Sequence, residues 1–306
     1  MRRIYDLVMT HLLDTDDFFI HCVQRYCAEE RLNFFLIEPV WVESFYDRLA
    51  QGKVWPRVLL NMHSEHHQPD EIFHRLIRLA AERHTQVIDP PDRALAAFDK
   101  ARVHDRLATA GIRVPPTVIV PAERTPNFQL TEEERALVGT PFVIKPGMGY
   151  GRRGVIMNAH NENDLAQSVA AWPDRHYLLQ QRIVPRQLNG LPVYFRVFFV
   201  FDSVFYSWWN CFTDHYRLVA SQEAQDLNLK PLEEITRHIA SITGMNFFSS
   251  EIAQTESGEF VVIDYVNDQC HMLSQSANPK IGVPDELVAA IAKRLVQATR
   301  ELIARS

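Results

Sequence analysis

The chain has 306 residues, with 32 Lys and Arg against 38 Asp and Glu, so its formal net charge is −6 at pH 7. Its 46% apolar and 23% charged residues are typical of a soluble globular protein, and the length predicts about two domains. No stretch approaches the roughly 20 apolar residues of a membrane helix, no secretory signal is recognisable near Met1, and the negative charge disfavours nucleic-acid binding. Cys22, Cys27, Cys211 and Cys270 are too scattered for a disulfide framework, which predicts a cytoplasmic protein with free thiols.

The first hundred residues alternate between strand and helix patterns. Strands are predicted at 4–10, 33–37, 57–61 and 85–88, and helices at 18–30, 42–49 and 69–83. This alternation indicates βαβ units and a parallel sheet. A helix near 100–110 follows, and then a strand at 117–120.

The second half has a different pattern, with short strands in antiparallel hairpins. Strands are predicted at 142–145, 155–158, 177–181, 193–201, 204–209, 247–254 and 259–265, and helices at 131–137, 162–171, 232–243 and 284–304. The predicted fold class is therefore α/β followed by α+β.

A glycine loop at 147–154 is the densest signal in the chain. It contains four of the 11 glycines, Gly147, Gly149, Gly151 and Gly154, and two arginines, Arg152 and Arg153. Closely spaced glycines let backbone N–H groups approach phosphate oxygens. A strand rather than a helix is predicted after the loop, which disfavours a dinucleotide-binding fold and favours a hairpin that covers a nucleotide. A flexible surface hairpin is the alternative.

Two acids, Glu251 and Asp264, lie among apolar residues in the last predicted hairpin. The turn at 256–258 would set the two strands side by side, so that both carboxylates face one way. Facing carboxylates repel each other unless a cation lies between them, and Asn267 would add a neutral oxygen. Polar residues at strand ends, without a metal, are the alternative.

These motifs, in this order, resemble the ATP-grasp superfamily of ATP-dependent carboxylate ligases. The segments that carry the resemblance are Asp99-Lys100 through Pro116-Thr117, Phe142-Val143-Ile144-Lys145-Pro146, the glycine loop, Leu178-Leu179-Gln180-Gln181-Arg182-Ile183, and Arg196 within 194–200. The resemblance implies an ATP-grasp fold preceded by a βα domain. The implied domains are 1–98, a central subdomain at 99–184 with the glycine lid, and a C-terminal subdomain at 185–306 with a metal site.

The resemblance also implies the roles of individual residues. It assigns Lys100 and Lys145 to the nucleotide phosphates, and the backbone at Gln181, Arg182 and Ile183 to adenine. Gly147, Gly149, Gly151 and Arg153 would form the lid that covers ATP. Glu251, Asp264 and Asn267 would hold Mg²⁺ or Mn²⁺. Arg196 and Arg217, with Lys145, would contact the reacting phosphoryl or acyl group.

The chain departs from the family pattern at three places. Gln181 stands where the adenine-binding strand of the family often has an acid. Tyr194 stands where the family has Asp, two residues before the arginine that corresponds to Arg196. The spacing from Asp264 to Asn267 is one residue longer than usual, so Asp268 is an alternative metal ligand.

The implied activity is that of a ligase that activates a carboxylate as an acyl phosphate for attack by an amine, with an amino acid or a peptide as substrate. A small-molecule kinase and a nucleotide-binding regulatory module without turnover are the alternatives. Small-molecule carboxylates and amines are the implied partners, and a homodimer is suggested because many relatives form dimers. The loop His63-Ser64-Glu65-His66-His67 allows three interpretations: a solvated loop, a substrate contact or a metal site.

Overall fold

The first third of the chain forms a parallel sheet, as predicted. The computed structural model of the protein describes residues 2–11, 17–63 and 68–305. The strands of this sheet are β1 (Arg3–Thr10), β2 (Phe34–Ile37), β3 (Val54–Asn61) and β4 (Gln86–Ile88). Their order is β2-β1-β3-β4, and all neighbours are parallel.

Four helices accompany these strands: α1 (Asp17–Glu29), α2 (Val42–Ala50), α3 (Ile72–Glu82) and α4 (Pro91–Phe98). The side chain of Glu71 caps α3 by accepting hydrogen bonds from the backbone of Phe73 and His74. Helix α4 was not among the elements predicted from the sequence. Proline is favoured at the first position of a helix, and α4 begins at Pro91.

An antiparallel four-stranded sheet follows. It contains β5 (Thr117–Pro121), β6 (Phe142–Pro146), β7 (Ile156–Ala159) and β8 (His176–Gln181) in the order β5-β8-β6-β7. Three helices belong to this part: α5 (Lys100–Thr109), α6 (Glu132–Val138) and α7 (Asp164–Ala171). A core with buried Phe142, Ile144 and Tyr177 supports the sheet. Burial of these side chains is the main source of its stability.

The remaining strands are β9 (Gln187–Leu188), β10 (Leu191–Pro192), β11 (Tyr194–Val200), β12 (Ser203–Asn210), β13 (His215–Leu218), β14 (Phe247–Gln254) and β15 (Phe260–Asn267). The last five form a sheet in the order β13-β12-β11-β14-β15. Three helices complete the chain: α8 (Ser221–Asp226), α9 (Lys230–Thr243) and α10 (Asp285–Arg305). The short elements β9, β10, β13 and α8 were not predicted, since they span too few residues for a periodic pattern.

The chain divides into two compact units. The first unit is Met1–Leu95, Phe195–Ser249 and Asn267–Ser306, and the second unit is Ala96–Tyr194 and Ser250–Val266. The larger part of the β14–β15 hairpin thus belongs with the glycine loop in the second unit. The division into 1–98, 99–184 and 185–306 stays a prediction.

Among the described residues, no helix is long and apolar enough to cross a membrane. The four cysteines all lie in the described part of the chain and form no disulfide.

Candidate functional site

Two lysines are buried in the second unit. Lys100 is the first residue of α5, where its own backbone N–H donates to Gly147 O at 2.9 Å. Its Nζ atom donates to Gly149 O, also at 2.9 Å, so this lysine contacts the glycine loop twice. Lys145 lies on β6 and donates from Nζ to Ile263 O at 2.8 Å. Only 7% of Lys100 and 9% of Lys145 is exposed.

The charge on Lys145 is energetically expensive. Burial lowers the pKa of Lys145 to about 8, the nearby negative charges of Asp264 and Glu251 act to raise it, and the positive charge of Lys100 lowers it further. Buried cations that are only partly compensated favour the arrival of an anion. The four side chains assigned from sequence to phosphate and metal binding in this unit therefore act on one another electrostatically.

The two acids of the hairpin are held in different ways. Asp264 Oδ1 lies 3.7 Å from Lys100 Nζ, which is an ion pair beyond hydrogen-bonding distance. This oxygen is buried and accepts no hydrogen bond from any residue that the structure describes. Glu251 Oε2 accepts a hydrogen bond from the hydroxyl of Tyr194 at 3.1 Å. Tyr194, the residue that departs from the family pattern, therefore contacts a predicted metal ligand.

The donor set fits a hard divalent cation. No group of three or more His, Cys, Asp or Glu able to hold a metal occurs within residues 2–11, 17–63 and 68–305. However, Mg²⁺ in nucleotide sites is usually held by one or two carboxylates, substrate phosphates and water. The buried Oδ1 atom of Asp264 retains its lone pairs for such an ion. Carboxylate and amide oxygens suit Mg²⁺ or Mn²⁺.

The glycine loop has one position where only glycine fits. Gly154 has φ +71°, and a Cβ atom there would lie 2.8 Å from Trp172 Cβ and 2.9 Å from Pro146 Cγ. Gly151 has φ +57° with open space around it. The loop is thus closely packed at its end and unobstructed at its middle, as a lid that moves about a fixed base requires.

Arg153 packs against aromatic side chains of the same unit. Its guanidinium carbon lies 5.0 Å from the Tyr150 ring centroid and 5.6 Å from that of Trp172. The Met148 N–H donates to Asp174 Oδ2 at 2.6 Å. Burial raises the pKa of Asp174, although its backbone hydrogen bonds act in the opposite direction. These contacts hold the loop in its present conformation.

The predicted adenine segment follows β8. Gln181 ends the strand, and its N–H donates to Pro116 O at 2.8 Å. Arg182 is exposed and Ile183 is half-buried, and both lie outside any strand or helix. The adenine-binding role of the backbone at 181–183 stays a prediction.

Three predicted residues belong to the first unit. Arg196 lies on β11, with its guanidinium 5.0 Å from the Trp209 ring centroid. Asn267 ends β15, and its Nδ2 donates to Ser249 O at 3.3 Å. The catalytic role of Arg196 and the metal role of Asn267 stay predictions, as does that of Asp268.

Arg217, the third, lies on β13 and has an internal anion. Its two terminal nitrogens donate to the two carboxylate oxygens of Glu223 at 3.0 and 2.7 Å. Trp208 Nε1 and the Ala220 N–H also donate to Glu223 Oε2. Hydrogen bonding by Arg217 lowers the pKa of Glu223 to about 2. Glu223 was not identified from the sequence, because the motif that contains Arg196 spans 194–200 and ends before α8.

A cavity of about 440 Å³ lies beside β13 in the first unit. Its walls include His215, Arg217, Leu218 and Gln275. Gln275 Nε2 donates to Tyr216 O at 2.7 Å, so a side-chain amide occupies the edge of the sheet.

The histidine loop is only partly described. His63 Nε2 lies 3.9 Å from Glu71 Oε2, and its ring makes an edge contact with Phe73 at 4.7 Å between centroids. Residues 64–67 lie outside the described residues, so the predicted roles of this loop stay open.

Comparison with solved structures identifies the fold. Neither a protein-family model nor a curated protein sequence matches the chain. A RimK domain ATP-grasp protein from Sphaerobacter thermophilus DSM 20745 superposes with a TM-score of 0.64 at 17% identity, covering 95% of this chain and 98% of that one. The ATP-grasp ligase PsnB complexed with precursor peptide PsnA2 and AMPPNP gives 0.62 at 14% identity, with 96% and 98% covered. D-alanine–D-alanine ligase from Bacillus anthracis complexed with ATP gives 0.63 at 11% identity, with 98% and 99% covered.

The chain therefore has the ATP-grasp fold, with a parallel N-terminal sheet and antiparallel sheets after it. This confirms the fold class expected from the motifs.

Proposed function

We propose that the protein is an ATP- and Mg²⁺-dependent ligase that activates a carboxylate as an acyl phosphate for attack by an amine. The observation that carries this proposal is a pair of buried lysines, Lys100 and Lys145, that interact electrostatically with two half-buried acids, Asp264 and Glu251. Two buried lysines next to a hydrogen-bond-free carboxylate oxygen suit a polyanion that arrives with its own divalent cation. The solved ATP-grasp structures, which include complexes with ATP and AMPPNP, support the same proposal.

In this proposal each residue of the site has a defined part. Lys100 and Lys145 neutralise phosphate oxygens, while Glu251 and Asp264, with Asn267, hold Mg²⁺ or Mn²⁺. When bound, ATP and the metal supply the phosphoryl group and screen its charge. The backbone at 181–183 receives adenine, and the lid glycines, with Arg153, exclude water from the site.

Arg196 is proposed to stabilise the negative charge that develops on the transferring group, because a fixed guanidinium acts as a preorganised donor. Arg217 lies beside the 440 Å³ cavity at β13 and is proposed to contact the acceptor side of the reaction. Its ion pair with Glu223 would keep the guanidinium in a fixed orientation.

The substrate class is proposed to be an amino acid or peptide. D-alanine–D-alanine ligase and the ligase PsnB complexed with a precursor peptide are among the similar structures, which supports this class. We also propose a homodimer and a cytoplasmic location.

Trapping with hydroxylamine tests the proposed reaction without knowledge of the amine. The protein would be incubated with ATP, Mg²⁺, hydroxylamine and pools of amino acids or short peptides, and hydroxamates measured by mass spectrometry. ATP would phosphorylate the carboxylate and release ADP, and hydroxylamine would then displace phosphate from the acyl phosphate to give the hydroxamate. Glu251→Gln, which keeps the size of the side chain but removes its charge, is expected to abolish the product.

The other outcomes separate the alternatives. A stable phosphorylated compound without a hydroxamate would identify a small-molecule kinase. Nucleotide binding without any product across the pools would favour a regulatory module and contradict the ligase proposal.

A further inference from the structure

A network of side-chain hydrogen bonds joins four elements of the second unit. The Tyr265 hydroxyl, on β15, accepts a hydrogen bond from Gln180 Nε2 on β8 at 2.8 Å. The same amide nitrogen donates to Thr117 Oγ1 on β5 at 2.9 Å. On its other side, the Tyr265 hydroxyl lies 2.6 Å from His104 Nδ1 on α5. Side chains from β5, β8, α5 and β15 therefore meet in one buried cluster.

The positions of the hydrogens follow from the donors. The two hydrogens of Gln180 Nε2 are both used, one by Thr117 and one by Tyr265. Tyr265 then directs its own O–H to His104 Nδ1, which accepts and leaves the imidazole hydrogen on Nε2. Burial lowers the pKa of His104, which keeps the imidazole neutral as this arrangement requires.

Two residues of this hydrogen-bond network are sequence neighbours of residues assigned to nucleotide and metal binding. Gln180 precedes Gln181, the start of the proposed adenine segment. Tyr265 follows Asp264, a proposed metal ligand. The hydrogen bond between Gln180 and Tyr265 therefore ties the adenine end of the site to its metal end.

Residues of the same network also lie near both lysines, Lys100 and Lys145. His104 lies four residues after Lys100 on α5, so the two side chains share one face of the helix. The Lys145 Nζ atom lies 5.7 Å from the Tyr265 ring centroid, within range of a cation–π contact.

We propose that Tyr265 is a positioning residue of the nucleotide site. Through its hydroxyl, Tyr265 fixes strand β8, strand β15 and helix α5 relative to one another. This inference rests on the proposed function. Tyr265 need not touch the nucleotide, because it acts through Gln180 and His104.

Tyr265→Phe removes only the hydroxyl and keeps the ring beside Lys145. The buried amide hydrogen of Gln180 and the Nδ1 atom of His104 then lose their partner, and both side chains must move to find another. Small displacements of binding groups weaken a site disproportionately. We expect the affinity for AMPPNP with Mg²⁺ to fall about tenfold, the size of one buried hydrogen bond.

The test is isothermal titration of AMPPNP with Mg²⁺ into the full chain. His104→Leu is expected to weaken binding as much as Tyr265→Phe does. His104→Asn, whose Oδ1 atom can accept from Tyr265 in place of Nδ1, is expected to restore affinity to within about twofold of the wild type. Tyr206→Phe, on β12 in the first unit, serves as the control for loss of a tyrosine hydroxyl.

Each outcome decides between distinct claims. If the wild type does not bind AMPPNP, the proposed function itself is wrong. If it binds, and Tyr265→Phe and His104→Leu bind equally well, the positioning role is wrong even where both variants melt at lower temperature. If Tyr265→Phe does not fold, the difference between His104→Leu and His104→Asn decides the question.

Discussion

Replacement of Gly154 by alanine tests whether the base of the glycine loop is packed as the structure indicates. The added Cβ atom would lie 2.8 Å from Trp172 Cβ, 2.9 Å from Pro146 Cγ and 3.2 Å from Ser168 O. The last of these is a backbone atom, and the Gly154 carbonyl is itself held by the Ser168 hydroxyl. Neighbours on several sides therefore prevent an easy relaxation.

Two terms add at this position. A Cβ atom at φ +71° costs about 1–2 kcal/mol, because it approaches the carbonyl oxygen. Overpacking of a filled site typically costs a further ~1–3 kcal/mol. Gly151→Ala, at φ +57° with no atom within 4 Å, carries only the first term and is the matched control. The expected difference between the two variants is thus about 1–3 kcal/mol.

The assay is urea denaturation followed by tryptophan fluorescence. With equal slopes, the shift in midpoint reports the difference in the free energy of unfolding. Both variants gain the same small stabilisation from a less flexible unfolded chain, so this contribution cancels in the comparison. If Gly154→Ala unfolds at the same urea concentration as Gly151→Ala, the described packing of the loop base is wrong.

Three further predictions concern charged groups. The pKa of Lys145, about 8, should rise when a phosphate binds, so ATP binding should take up a proton above about pH 8 and should weaken as pH rises. Calorimetry in buffers of different ionisation heat measures this proton uptake. The Lys145→Arg variant should show none. Burial raises the pKa of Asp89 to about 7, so the folded state binds one more proton than the unfolded state between about pH 4 and 7, and the free energy of unfolding should fall as pH rises through this window. Asp89→Asn should flatten that part of the profile of stability against pH. An unchanged profile would contradict the raised pKa of Asp89. Because the pKa of Glu223 is low, its ion pair with Arg217 should lose its stabilising effect as pH falls from about 4.5 to 2. Arg217→Lys cannot make the bidentate contact and should therefore unfold at a higher pH on acidification. Unfolding of this variant at the same pH as the wild type would contradict a stabilising role of the pair.

Much of the fold could be predicted because its longer elements carry strong periodic signals. In α3, Phe73, Leu76, Ile77 and Ala80 follow helical spacing, and all four are buried. Short elements lack such a signal: β13 has four residues and α8 has six, and neither was predicted. The start of α4 was missed because a proline that ends one element can also begin the next.

The candidate site could be predicted only where it follows local motifs. Lys100, Lys145 and the glycine loop are each recognisable in a few consecutive residues, and the structure brings them together. The contact between Tyr194 and Glu251 joins residues 57 positions apart, so sequence analysis could identify Tyr194 only as a departure. The Gln180–Tyr265 hydrogen bond spans 85 positions and gave no local signal.

A thermal-shift titration with ATP measures whether the protein binds this nucleotide and whether Glu251 and Asp264 are needed for binding. The wild type and a Glu251→Ala/Asp264→Ala double variant would be titrated with ATP, with and without Mg²⁺. At a concentration of ATP 100-fold above its dissociation constant, binding stabilises the native state by about 2.7 kcal/mol and should raise the melting temperature of the wild type by a few degrees. This rise is expected to depend on Mg²⁺ and to be lost in the double variant. No shift at millimolar ATP, or an equal shift in the double variant, would contradict this expectation.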